Sequence, residues 1–272
     1  MYQFCLAILI CFVGSAQISY KEIKLPKSVS ETSGLETYGE HLITHNDSGD
    51  KPKLYVISSS GEKIIEIKIN SIENNDWEDI TSDSDHLYIA DIGNNNGTRK
   101  NLKIYILDKK FLLKGIITIK YLKQKKFIKN KKNDYNAESL AVVGDQLVLF
   151  SKNMKTLKSE IYTFPKKSGN YILEPKAVIN TNALITGADY NNKTDLMVLT
   201  GYDSLIDEQF LFKINNFTNN GYKNLKLHRY KIPVKNAQIE AIKIINQEEF
   251  WVSSESEEQN TPRLFRIKIE SE

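Results

Sequence analysis

The sequence predicts an all-β chain folded as a five-bladed β-propeller of about 20 antiparallel strands. Three observations carry that expectation. A polar–x–aliphatic start recurs five times, at Ser33, Glu78, Glu138, Thr186 and Glu240, spaced by 45, 60, 48 and 54 residues. Each start opens a pair of short apolar runs split by turn residues, then a loop and a third apolar run. No apolar pattern of helical period is sustained long enough to form a helix. Six blades, with one degenerate copy, is the alternative count.

Taken in order, the first copy is SGLETYGEHLITHNDSG (33–49) with KLYVIS (53–58), and the second is EDITSDSDHLYIADIGN (78–94) with LKIYIL (102–107). The third is ESLAVVGDQLVLFSKN (138–153) with EIYTF (160–164). The fourth is TGADYNNKTDLMVLTGYD (186–203) with QFLFKI (209–214), where a one-residue slip would move the start to Gly187. The fifth is EAIKIINQEEFWVSSES (240–256) with RLFRI (263–267). A further strand follows each of the first four copies, at 62–70, 115–122, 171–179 and 225–232. The fifth copy lacks one, and ISYKEIKL (18–25) is expected to supply it, so that the N-terminal strand completes the last blade. Such closure buries blade faces against their neighbours and leaves only short outer edges. The middle-strand aromatics Tyr55, Tyr88, Tyr105, Tyr162, Phe212 and Phe265 are expected between blades.

Residues 1–16 read as a signal peptide, with an apolar run from Phe4 to Val13 before a Gly14-Ser15-Ala16 cleavage site. The run is too short for a permanent bilayer span. Residues 17–272 are then one propeller domain, secreted to the periplasm or the extracellular space, monomeric and without a membrane span. Both cysteines, Cys5 and Cys11, fall in the leader, which leaves the mature chain no disulfide, thiol nucleophile or cysteine metal site. Of the 272 residues 40 % are hydrophobic and 26 % charged, as in soluble globular proteins. A net charge of +3 is too small to point to nucleic acid.

In a propeller the first strand of each blade lines the central channel, so the repeated polar position becomes a ring. Here the ring is Ser33, Glu78, Glu138, Thr186 and Glu240. Carboxylates converging on one axis repel unless a counter-charge lies between them. Oxygen donors without His or Cys favour a hard ion, and a roomy ring suits calcium (Ca2+) better than magnesium. A polar, water-filled channel is the alternative.

These blade starts resemble those of the calcium-activated nucleotidases (apyrases), five-bladed propellers with Ser-x-aliphatic and Glu-x-aliphatic starts around a central Ca2+. The order of hydroxyl and carboxylate positions is similar, and AESLAVVGDQLVLF and IEAIKI carry the likeness best. The chain also resembles secreted bacterial proteins with the signatures ETSGL, HNDSG, DWEDI and ADIGN. The resemblance implies calcium at the ring and Asp47 as a matching acidic position; the basic clusters that hold phosphates in the nucleotidases are not reproduced.

The loops after the second strands are expected to cluster at one channel mouth. They offer His45, Asp47, Asp79, Asp91, Arg99 and Lys152 as candidate catalytic groups. Asn46, Asp76, Trp77, Asn94, Tyr202 and Glu255 are candidate ligand-binding groups. His45 beside Asp47 suggests an acid–base pair, although HNDSG is also a turn sequence. Trp77 suits stacking on a sugar or base, or packing between blades. The functional expectation is a calcium-binding propeller that takes a small-molecule, nucleotide or glycan ligand at the mouth. A calcium-dependent phosphohydrolase, cleaving phosphoric anhydrides or phosphoesters, and an adhesion or structural module are the alternatives. The lysine-dense run 109–132 reads as a blade's outer edge guarded by charge, followed by a solvated loop, with attachment to an anionic glycan or nucleic acid as the alternative.

Overall fold

The computed structural model describes residues 17–203, 205–256 and 261–270. The expected signal peptide, 1–16, lies outside the described residues. The chain forms five small sheets, one per repeat. It begins with β1 (Ile18–Lys24) and a 3-10 turn at Lys27–Val29. Blade one is β2 (Thr32–Tyr38), β3 (His41–Asn46), β4 (Lys53–Ile57) and β5 (Lys63–Lys68). Blade two is β6 (Trp77–Ser82), β7 (His86–Asp91), β8 (Lys103–Asp108) and β9 (Leu113–Tyr121). Blade three starts with β10 (Ala137–Val143), β11 (Gln146–Ser151) and β12 (Lys158–Pro165), after which come β13 (Gly169–Leu173) and β14 (Ala177–Asn180). Blade four is β15 (Leu184–Asn191), β16 (Leu196–Asp203), β17 (Glu208–Asn215) and β18 (His228–Ile232). Blade five is β19 (Ile239–Ile244), β20 (Glu249–Ser254) and β21 (Arg263–Ile269), completed by β1.

The ring closes as the sequence predicts. β1 pairs antiparallel along β21 from Ile18 opposite Ile269 to Lys24 opposite Arg263. Five apolar clusters fill the spaces between neighbouring blades, one at each junction, and the six middle-strand aromatics all fall within them. Burial on both faces explains why the inner and second strands read as near-continuous aliphatic runs. With five sheets and five junctions, the six-blade count is set aside.

Two expectations need correction. The segment 171–179 was to be blade three's outer strand, but Pro175 interrupts it, and a residue without an N–H cannot continue a ladder. The half before Pro175, β13, pairs in parallel with β9 of blade two, while the half after it, β14, pairs with β12. The described residues therefore form 21 strands, and β9 is not the free outer edge that the lysine run suggested.

The inner strands β2, β6, β10, β15 and β19 surround the axis, each beside the next. Side chains tie them together. Asp79 accepts the Leu140 N–H at 2.8 Å, Asp189 accepts the Ile244 N–H at 2.8 Å, and Thr81 accepts the Val142 N–H at 3.3 Å. Gly34 sits at a close approach of β2 to β6: a Cβ there would lie 2.4 Å from the Ile80 nitrogen. Lys243, half-buried between Glu36 (2.6 Å) and Asp189 (3.0 Å), supplies a cation inside the channel.

Deleting residues 17–24 removes the strand that closes the ring and bares the edge of β21. Calorimetry of the truncated protein is expected to show a fall in Tm of about 10 °C or more. An unchanged Tm would mean that closure by β1 contributes little.

Candidate functional site

Each of the five repeated residues sits in a β-bulge. The ladder between first and second strand skips a residue at Ser33, Glu78, Glu138, Thr186 and Glu240, and at Ser33 it also skips Gly34. A bulge leaves one residue unpaired and re-aims its side chain. The same defect at the same repeat position therefore creates the ring, and it fixes the fourth member as Thr186 and not Gly187.

A second ring stands above the first. The backbone N–H groups of Asp47, Gly93, Lys152 and Glu255 donate to the carbonyls of Glu31, Asp76, Asn136 and Gln238, each two residues before a ring member. Tyr202, opposite Leu184, takes the corresponding place in blade four. Together the two rings frame a cavity of about 110 Å³, lined by Ser33, Glu78, Glu138 and Glu240 from the lower ring and by Asp47, Lys152 and Glu255 from the upper one, with Asn95 and Gln238.

The cavity has two chemically different halves. In one, Glu138 and Glu240 are engaged. Lys152 donates to Glu138 Oε2 at 2.5 Å, and Asn136 Nδ2 donates to Glu138 Oε1 at 3.1 Å. Gln238 donates to Glu240, and the Lys152 ammonium lies 5.1 Å from the Tyr202 ring centroid. Burial disfavours that ammonium, but Glu138 and Glu240 more than offset it and hold its pKa well above the usual lysine range.

In the other half, Asp47, Asp76 and Glu78 bring carboxylate oxygens within 4.8 Å of one another. Glu78 is 4 % exposed, and its Oε1 has no hydrogen-bond partner. The repeat explains why. The residue two places before the ring glutamate is an amide in blades three and five, Asn136 and Gln238, and each donates to its glutamate. In blade two it is Asp76, and an ionised carboxylate has no proton to donate. Glycine at position 93 makes room for this pair, because a Cβ there would lie 2.0 Å from Glu78 Oε1 and 2.3 Å from Asp76 Oδ2. Arg99 braces the loop, donating to Gly93 O at 2.7 Å and to Asp91 Oδ1 at 2.6 Å, with Nη1 3.9 Å from Asp76 Oδ2.

Six carboxylates, of Asp47, Asp76, Glu78, Glu138, Glu240 and Glu255, thus face one buried lysine and one arginine at the margin. Burial, then Glu138 and Asp47, push the Glu78 carboxyl well above its usual range. Burial, then Asp76 and Glu138, raise Asp47 to about 8. Burial, then Asp47 and Glu138, raise Glu255 to about 8. Burial also raises Asp76, with Arg99 opposing, and burial raises Glu240 well above its range, with Lys152 opposing.

The structure distributes the predicted residues between this cavity and the scaffold. Ser33 Oγ donates to Glu78 O, and Thr186 Oγ1 donates to Ile239 O, each at 2.6 Å, so both hydroxyls stitch neighbouring blades. His45 is fully buried; its Nε2 accepts the Gly34 N–H at 3.2 Å, and its Nδ1 lies 3.0 Å from Asn46 O. Burial holds its pKa down at about 4, so it is a neutral structural imidazole and not an acid–base partner of Asp47. Trp77 packs edge-on against His45 and donates to Glu73 O, which places it between blades rather than on a ligand. Asp79 is the inter-blade tie described above. Asp91 is buried under Arg99. Asn46 donates to Ser28 O and Asp50, and Asn94 donates to Tyr135 O, so these two amides brace loops. Asn95 and Gln238 were missed. Gln238 had a signal, since it stands two residues before Glu240 as Asn136 stands before Glu138.

In fold the chain is similar to the PQQ-bound form of aldose sugar dehydrogenase from Streptomyces coelicolor, with a TM-score of 0.54 at 11 % identity, covering 94 % of this chain and 99 % of that one. Hydrazine synthase from Kuenenia stuttgartiensis matches with a TM-score of 0.46 at 13 % identity over 81 % of this chain and 60 % of that one, too distant to carry an argument. At these identities the likeness is one of propeller architecture alone. No protein-family model and no curated protein matches the sequence.

The raised carboxyls set a pH dependence for the metal-free protein. A folded pKa of about 8 for Asp47 and Glu255 exceeds the unfolded value near 4. Their contribution is therefore complete below pH 4 and is lost as pH rises through 8. The lowered His45 acts in the opposite sense, below about pH 6.5. Between pH 6.5 and 8 the metal-free Tm is thus expected to fall as pH rises, and Asp47→Asn with Glu255→Gln flattens the slope. A rising Tm over that interval would contradict the electrostatic account.

Proposed function

We propose that the chain is an exported, calcium-dependent binding propeller, with a divalent cation held by Asp47, Asp76 and Glu78 at one channel mouth. The observation that carries this reading is Asp76 in the place where blades three and five put an amide, which leaves the buried Glu78 Oε1 with no donor. A cation between the two carboxylates satisfies both. The donors are all oxygen, and the cavity of about 110 Å³ has room for an ion and several waters. Such a donor set suits calcium, and the resemblance of the blade starts to calcium-activated nucleotidases agrees with it.

The ligand that meets this ion is small or presents a small polar group, since the cavity is well below the 300–1,000 Å³ of pockets that enclose drug-sized molecules. The same limit speaks against an organic cofactor of the kind named for the sugar dehydrogenase. Phosphoryl transfer is not favoured, because both cations expected to stabilise phosphate charge are committed, Lys152 to Glu138 and Arg99 to Asp91. Binding without chemistry at the mouth is the reading the site supports best.

Thermal melts of chelator-stripped protein test this. Calcium at about 100 times its Kd is expected to raise Tm by about 5–10 °C. Asp76→Asn restores the amide of the sister blades, so it is expected to raise the metal-free Tm and abolish the calcium shift. Glu78→Gln is also expected to remove the shift. A calcium response that survives both substitutions, or is absent from the wild type, would refute the site.

A further inference from the structure

The lysine run left unexplained by the edge-strand reading lies on the mouth side, in the loop from β9 to β10. Between residues 120 and 133 there are seven lysines and no acidic residue. Lys123, Lys125, Lys126 and Lys132, joined by Lys155 from blade three, line an open basin of about 580 Å³. Among the described residues none of these lysines makes an ion pair, whereas Lys103, Lys114, Lys166 and Lys213 each do. The one acid in the basin, Asp134, is hydrogen-bonded by Asn153 at 2.8 Å.

A loop of like charges repels itself and tends to extend. This one is pinned. Buried Gln124 donates to Gly97 O at 2.9 Å. Buried Asn133 donates to the carbonyls of Asn94, Asn95 and Asn130. The Asn130 N–H reaches Asn96 O at 2.8 Å, and Tyr135 Oη donates to Lys123 O at 3.0 Å. The asparagine-rich loop of blade two is therefore a scaffold that holds the lysines in a fixed, concave array.

The basin also continues sideways. Lys125 is shared with a cleft of about 350 Å³ that carries Lys100 and Lys120, and Lys123 with a cleft of about 330 Å³ that carries Lys158 together with Asp134 and with Glu160, which accepts from the Tyr162 hydroxyl. Three clefts with shared lysine borders make a cationic track longer than any single small anion. We infer that this track binds an acidic polysaccharide, its charges sulfate or carboxylate, at a site separate from the cation at the mouth. Recurring negative charges on a flexible chain match recurring unpaired ammonium groups, and the amide and hydroxyl groups between them suit sugar hydroxyls. Single-stranded nucleic acid fits less well, because among the described residues these aromatic rings of the track are already engaged and offer no free stacking platform: Tyr135 packs on Tyr121, and Phe127 lies under Lys100. A lipid surface is planar, and the track is concave.

Fluorescence anisotropy tests this with a labelled heparin-derived octasaccharide and a labelled oligogalacturonate at 150 mM salt. At least one of the two is expected to bind saturably, and which one binds separates sulfate from carboxylate. The triple variant Lys125→Glu, Lys126→Glu, Lys132→Glu is expected to weaken binding by tenfold or more. The same charge change at exposed lysines of blades four and five, Lys223→Glu, Lys226→Glu, Lys235→Glu, is expected to alter it by less than about twofold. All six side chains are exposed, so melting curves of both triples should match the wild type. Binding of neither glycan, equal loss in both triples, or tighter binding of single-stranded DNA or of phosphatidylserine vesicles overturns the assignment. So does binding that disappears when calcium is chelated, since that would put the glycan at the mouth.

Discussion

Buried carboxylates that converge on one axis need a counter-charge, and the axis of this propeller is organised by how each one is met. Lys243 meets Glu36 and Asp189 within the channel. At the mouth, Lys152 lies against Glu138, and amides donate to Glu138 and Glu240. Asp47 and Glu78 are left with each other and with Asp76, whose only counter-charge among the described residues is Arg99 at 3.9 Å. Removing an internal cation next to buried acids is expensive, roughly 3–5 kcal/mol for a buried pair, so the division of the cavity into a lysine half and an acidic half is a fixed property of the fold.

The geometry that permits this is a repeated backbone defect. An unbroken ladder would alternate side chains between the two blade faces. The bulge at each ring position breaks that alternation once and frees a single side chain. Sequence variation at the bulge, at the position two residues before it and at the end of the second strand then sets the chemistry of each blade independently. Blade two uses the combination Asp76, Glu78 and Gly93, and blade three uses Asn136, Glu138 and Lys152. The five blades share one architecture and differ in charge.

Much of the fold was legible because propeller repeats write their period directly into the chain. The five starts, the blade order and the closing role of residues 18–25 follow from apolar periodicity and from the missing strand of the last copy. The crossing of β13 to blade two was not legible, since parallel pairing between blades leaves no local pattern, although Pro175 marked the break. The ring residues were legible as a repeat, but their hydrogen-bond partners were not. Nothing in HNDSG distinguishes a buried His45 under a Trp77 edge from an exposed acid–base pair, because burial is decided by the neighbouring blade. Gln238 could have been found, and the named Asp76 placed beside Glu78, by extending the repeat two residues backward, where polar side chains also recur.

The central claim is that the acidic half of the mouth is completed by a divalent cation. At pH 7 the raised carboxyls of Asp47 and Glu255 hold protons that a cation must displace. Calorimetric titration of chelator-stripped protein with calcium chloride, repeated in buffers of different ionisation enthalpy, reads both the stoichiometry and the protons released. The account predicts about one calcium per chain with release of about one proton or more at pH 7, decreasing as pH rises through about 8. Binding without proton release, or no binding at millimolar calcium, would contradict it.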